Sequence, residues 1–181
     1  MRAKKLLSLI LVPASLLLMF AGCAAKETKP SLLPFNLSLG DTYEKTQEAI
    51  NVGELEDSQA NDGYIAGLKY LTNEEDITAV LGTSEGVYDV AIGLAFNADK
   101  KLYEFYCLFT VKSDKQTEVN DAIRAKYSQI AGQEEADPEG IALWKNEEYV
   151  IDYSCSNVYE SFLGEDAQCV ITIHSFALDF E

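Results

Sequence analysis

This sequence predicts an α+β domain: an antiparallel β-sheet with two or three helices packed on one face. Three observations predict it. Runs rich in β-branched and aromatic residues alternate apolar with polar on either side of short polar turns. Other segments repeat apolar residues at spacings of three and four. Of the 181 residues, 48% are hydrophobic, which suits a chain with a buried core rather than a disordered one.

The elements follow in order. Leu39-Gly40-Asp41-Thr42-Tyr43-Glu44 reads as a helix start, with Asp41 as N-cap and Glu44 returning the hydrogen bond three residues later. That helix ends near Asn51 to Gly53, and an acidic loop over 54–63 leads to a strand over 64–71. Thr72 to Asp76, then Ile77, Val80, Leu81 and Gly82, has the cap, acidic first turn, apolar spacing and terminal Gly of a small helix. A strand through 77–81 is the alternative. The clearest unit is a hairpin over 87–111, turning at Asn97-Ala98-Asp99-Lys100. On its second arm, alternation puts Tyr103, Phe105, Cys107, Phe109 and Val111 on the core side, matching Val90, Ile92, Leu94 and Phe96 on the first. Leu102, Glu104, Tyr106, Leu108 and Thr110 fall on the other side.

Ser113 to Gln116 opens a longer helix whose Val119, Ala122, Ile123, Tyr127 and Ile130 form one stripe, stopped by Gly132. An acidic linker over 133–140 precedes a second hairpin, 141–145 with 148–155, and a last strand over 168–176. If Lys145 and Glu148 bracket a two-residue turn, Trp144 pairs with Tyr149. The domain reads as 35–181, with a loose helix-then-hairpin echo between 35–112 and 113–181.

Lys+Arg total 14 against 30 Asp+Glu, a net charge of −16. Nucleic acid is thereby excluded as a partner, because its affinity rests on Lys and Arg neutralising phosphates. One His and four Cys are too few soft ligands for a zinc finger or an iron–sulfur cluster, so no metal or other cofactor is implied.

Met1, Arg2, Lys4 and Lys5 are followed by a charge-free stretch, Leu6 to Phe20, of 15 residues. A membrane-spanning helix needs about 20, so this is the shape of a secretory signal over 1–22. Its end, Phe20-Ala21-Gly22-Cys23, resembles the bacterial lipobox. The resemblance implies lipidation at Cys23, a mature chain that starts there, and a location on the cell membrane or outer membrane, outside the cytoplasm. Losing Arg2, Lys4 and Lys5 with the signal takes the charge from −16 to −19. Each buried acyl CH₂ contributes about 0.8 kcal/mol, and two chains hold firmly where one does not. Residues 23–34, polar with Pro30 and Pro34, read as the tether.

The order helix, hairpin, helix, hairpin, strand, entered through Phe35-x-Leu37-x-Leu39-Gly40-Asp41-Thr42, resembles two families of small secreted α+β domains. They are the β-lactamase inhibitory protein and the small lipoprotein of outer-membrane assembly machinery. The local match covers about ten residues, Asp41 stands where those families carry a hydrophobic residue, and no clear Gly-x-Pro follows the helix. What the resemblance implies is a general role in binding proteins.

Cys155 and Cys169 lie 14 positions apart. Opposing them across a ladder sets Tyr153 against Ile171 and Ile151 against Ile173, with every apolar pair on one face, which favours a disulfide. Two buried thiols are the alternative. Cys107, between Phe105 and Phe109, reads as a packed thiol.

The same register puts Ser154, Asp152 and His174 on the wetter face, but a flat strand surface supplies neither a shaped nucleophile turn nor an oxyanion hole, so no enzymatic activity is expected. The acidic groups Glu54, Glu56, Asp57 and Asp62; Glu74, Glu75 and Asp76; and Glu134, Glu135, Asp137 and Glu139 lack the spacing of a calcium loop. Tyr106 and Leu108 beside Glu104 have the composition of a protein-binding strip, unless a helix covers that side. The expectation is a membrane-tethered lipoprotein that binds a protein partner in the envelope through an exposed sheet face. The alternative is a small-ligand or cation-binding module that uses the acidic loops.

Overall fold

The computed structural model describes residues 31–58, 63–136, 142–156 and 165–178. The signal segment, Cys23 and the tether up to residue 30 lie outside them, as do Asp62, Asp137 and Glu139. The fold is α+β. Its strands are β1 (Leu55–Ser58), β2 (Gly63–Tyr70), β3 (Val87–Phe96), β4 (Leu102–Val111), β5 (Glu135–Ala136), β6 (Ala142–Lys145), β7 (Tyr149–Ser156) and β8 (Ala167–Ser175). They form one antiparallel sheet in the order β1-β2-β3-β4-β8-β7-β6-β5, in which seven strands make the body and β5 adds two residues at one edge. Residues before 112 build one half of the sheet and residues after 113 the other, joined where β4 pairs with β8.

The helices are α1 (Tyr43–Ile50), α2 (Glu74–Leu81) and α3 (Gln116–Ala131), the last entered through a 3₁₀ turn at Ser113–Lys115. α2 is the helix that its signals predict: the Asn73 side chain accepts from the Asp76 amide at 2.7 Å, and Gly82 ends it with φ of +83°. In α1 the cap is Thr42, which accepts from the Lys45 amide, and not Asp41. The Asp41 carboxylate instead accepts from the Ser38 amide at 2.9 Å and the Lys45 ammonium at 2.6 Å.

Buried side chains of all three helices belong to the same core as Phe105. The Val119, Ile123 and Tyr127 stripe of α3 is buried there, with the rings of Tyr127 and Trp144 5.9 Å apart. The Trp144 indole donates to Ser128 at 3.1 Å, and Tyr153 donates to Asn120. α2 docks on α3, where Tyr127 donates to the Val80 carbonyl at 3.1 Å. α1 meets the sheet through an edge-on contact of Tyr43 with Phe96, ring centroids 5.7 Å apart.

Four further expectations change. Leu102 turns to the core, because a bulge between its pairing with Phe96 and the pairing of Ala95 with Glu104 adds one residue to β4 and reverses its side there. Trp144 pairs with Ile151 and not Tyr149, since the Asn146 side chain accepts from the amides of Glu148 and Tyr149 and closes a wider turn. The acidic loop after α1 contains β1. Leu33 is buried in the core, so the packed domain reaches back into the stretch whose composition reads as tether.

Candidate functional site

The side of the sheet that faces away from the helices is organised by the strand register into rows. Tyr70, Ala91, Leu108 and Val170 form one; Gly93, Tyr106, Thr172 and Asp152 the next; Ile65, Ala95, Glu104 and His174 the third. Alternation along β3, β4, β7 and β8 fixes this placement, and the bulge in β2 between Ala66 and Lys69 sets Ile65 and Tyr70, an odd number of positions apart, on the same side. In β3 the bulge carries Asp89 at φ of +50°.

Three of the four large apolar side chains most open to solvent among the described residues belong to β2: Ile65 at 38%, Leu68 at 47% and Tyr70 at 67%. The fourth, Phe176, follows β8 and meets the His174 ring edge-on with centroids 5.3 Å apart. Tyr106 and Leu108, which their alternation assigns to this side, are half-buried here. The composition of β2 carries no separate sign that its apolar residues stay open; only the placement of the helices makes that so.

Between the two apolar strands runs the small-residue track of β3, Ala91, Gly93 and Ala95. A Cβ built on Gly93 would fall within the ring of Tyr106, so this ring lies across the Gly93 backbone. Burial, then the charge of Glu104, pushes the Tyr106 phenol above its ordinary pKa. At the far edge, the Lys145 ammonium pairs with Glu135 at 2.9 Å.

His174, Asp152 and Ser154 do share this side, but Ser154 lies opposite Val170 and His174 opposite Val150. Four residues along the ladder separate Ser154 from His174, about 13 Å, which is beyond hydrogen-bond reach. The Cys107 thiol is buried and pushed up to about 12 by that burial, so it is a poor nucleophile at neutral pH.

Cys155 and Cys169 are joined as a disulfide across β7 and β8, in the register that sets Tyr153 against Ile171 and Ile151 against Ile173. Within the second and third acidic groups, Glu74, Glu75 and Asp76 fill the first turn of α2, Glu134 pairs with Arg124, and Glu135 with Lys145. No group of three or more His, Cys, Asp or Glu among the described residues is placed to hold a metal ion. No helix among them is long and apolar enough to cross a membrane.

A groove lined by Gly82, Ala122, Lys126, Gln129 and Ile130 lies between α2 and α3. Its Lys126 donates to the Ala79 carbonyl at 2.7 Å, and burial lowers its pKa, so this lysine serves the end of α2. The Asp166 carboxylate ties the sheet ends together, accepting from the Ser113 amide and the Tyr88 hydroxyl, both at 2.8 Å. Comparison with protein-family models, with curated proteins and with solved structures returns no match.

Proposed function

We propose that this protein is a lipid-anchored, extracytoplasmic binding protein that acts without catalysis and holds a protein partner on the open face of its sheet. One observation carries the reading. Ile65, Leu68 and Tyr70, all open to solvent, flank the β3 track on one side, and Tyr106 and Leu108 flank it on the other. Contiguous apolar surface of this kind on a small domain marks an interaction site. The lipobox-like Phe20-Ala21-Gly22-Cys23 supports the anchor, and with it a place on the cell membrane or outer membrane. Tethering confines the search for a partner to the envelope, and a mature charge of −19 steers encounters at ranges up to a Debye length of about 8 Å.

The test is quantitative crosslinking mass spectrometry on the membrane-bound protein, comparing the native sequence with Leu68→Ser and Tyr70→Ser. Both side chains project into solvent, so the variants keep their melting temperature within a few degrees while losing the crosslinked partner. A partner that both variants retain contradicts the proposal. Cys23→Ala separates the anchor from the face: it releases the protein into the soluble fraction with the sheet unchanged.

A further inference from the structure

We infer that the partner presents an arginine or lysine side chain, set among apolar neighbours, to the ring of Tyr106. The inference rests on the open-face reading and specifies its chemistry. Because Gly93 has no side chain, the Tyr106 ring covers the Gly93 backbone with one face. Its other face points away from the sheet, and the residue is only half-buried. An aromatic face is the negative pole of the ring quadrupole, and a cation centred on it is attracted more strongly the less water surrounds it. Leu68 and Tyr70, on β2 across the β3 track, are open to solvent and supply apolar cover that a bound segment completes.

The charge of the surroundings points the same way. Glu104 lies two residues before Tyr106 on the same side of β4, and its field is felt at the phenol. Lys145, on this side at the far edge, already pairs with Glu135. Lys69 reaches the opposite side and donates to the Ile50 carbonyl at the end of α1. A second copy of the chain would bring a further net charge of −16 to the encounter, which counts against self-association. A segment with a cation between apolar side chains fits both the apolar strands and the field.

Selection of a random-peptide phage library on the full-length lipidated protein in detergent micelles tests this. The enriched peptides should carry Arg or Lys flanked by apolar residues and should bind more weakly as salt rises. Their affinity should fall several-fold on Leu68→Ser, fall about tenfold on Tyr106→Leu, and persist on Tyr106→Phe, which keeps the aromatic face. Tyr106→Leu retains apolar cover over Gly93, and its melting temperature reports whether the fold is kept.

Peptides that need Leu68 and Tyr70 but are neutral or acidic, or that tolerate Tyr106→Leu, overturn this inference and leave the open-face reading standing. Peptides indifferent to Leu68→Ser and Tyr70→Ser, or a library without binders, overturn both. A concentration-dependent dimer dissolved by Leu68→Ser assigns the face to a second copy and also overturns the inference.

Discussion

The ring of Tyr106 occupies the space that a side chain at Gly93 would need, so that the middle of the open face is one residue deep and aromatic. A glycine in a strand interior ordinarily weakens it, through chain entropy and the missing side chain. Here a cross-strand aromatic neighbour restores the packing, and the pair behaves as a unit. Gly93→Ala therefore displaces the ring and costs about 1–3 kcal/mol in denaturant unfolding, the usual range for overpacking. In a Tyr106→Ala background the same substitution costs less, since the space is vacant. A double-mutant cycle should give a coupling of at least about 0.5 kcal/mol, and additive costs would show that the ring and the glycine are independent.

The Cys155–Cys169 bridge closes a loop between β7 and β8. For a loop of about 15 residues the chain-entropy model gives roughly 3 kcal/mol. Replacing both cysteines by Ser should lower stability by about that amount and leave the sheet intact by circular dichroism. A double variant as stable as the native protein would show that strand pairing alone holds this edge.

Tyr153 sets a pH limit. The residue is buried, and its phenol is pushed up to about 12 by that burial, against an ordinary value of 10.0. The unfolded chain releases this proton first, so the contribution is complete below pH 10 and is lost as the pH rises towards 12. A two-unit difference corresponds to about 2–3 kcal/mol. Tyr153→Phe removes the titrating group, and also the hydrogen bond to Asn120. The variant should be less stable at pH 7, yet its stability should fall less steeply between pH 10 and pH 12. Equal slopes for the two proteins would refute the assignment.

What was legible in the sequence followed the strongest regularities. Alternation in β4 placed Phe105 and Cys107 on the core face, and the apolar match across Cys155 and Cys169 set β7 on β8 with Ile171 opposite Tyr153 and Ile173 opposite Ile151; the pairing of β4 with β8, which joins the two halves, carries no mark in either segment. The run Thr72 to Asp76, within which Asn73 proves to be the cap, and Gly82 marked the ends of α2 through local chemistry that tertiary packing did not override. The misses arose where one residue breaks a period. The β4 bulge turned Leu102 inward, and the Asn146 side chain widened the turn that set Trp144 against Ile151. β1 escaped notice because an acidic edge strand is held by backbone pairing to β2 and carries no apolar alternation.

For the candidate site, Tyr106, Leu108 and Glu104 could be read from the strand pattern. Gly93, Ile65, Leu68 and Tyr70 could not. Their importance depends on which face the helices occupy and on how two strands meet, and neither is a property of a single segment.

The measurement that bears most directly on the account is site-specific photocrosslinking in intact cells, with a photoreactive amino acid replacing Leu68 on the open face or Gln129 on the exposed side of α3. The account predicts a discrete protein adduct from position 68 that disappears when Tyr70→Ser is added, and none from position 129. Adducts from position 129 with none from position 68 would place the working surface on the helices and contradict it.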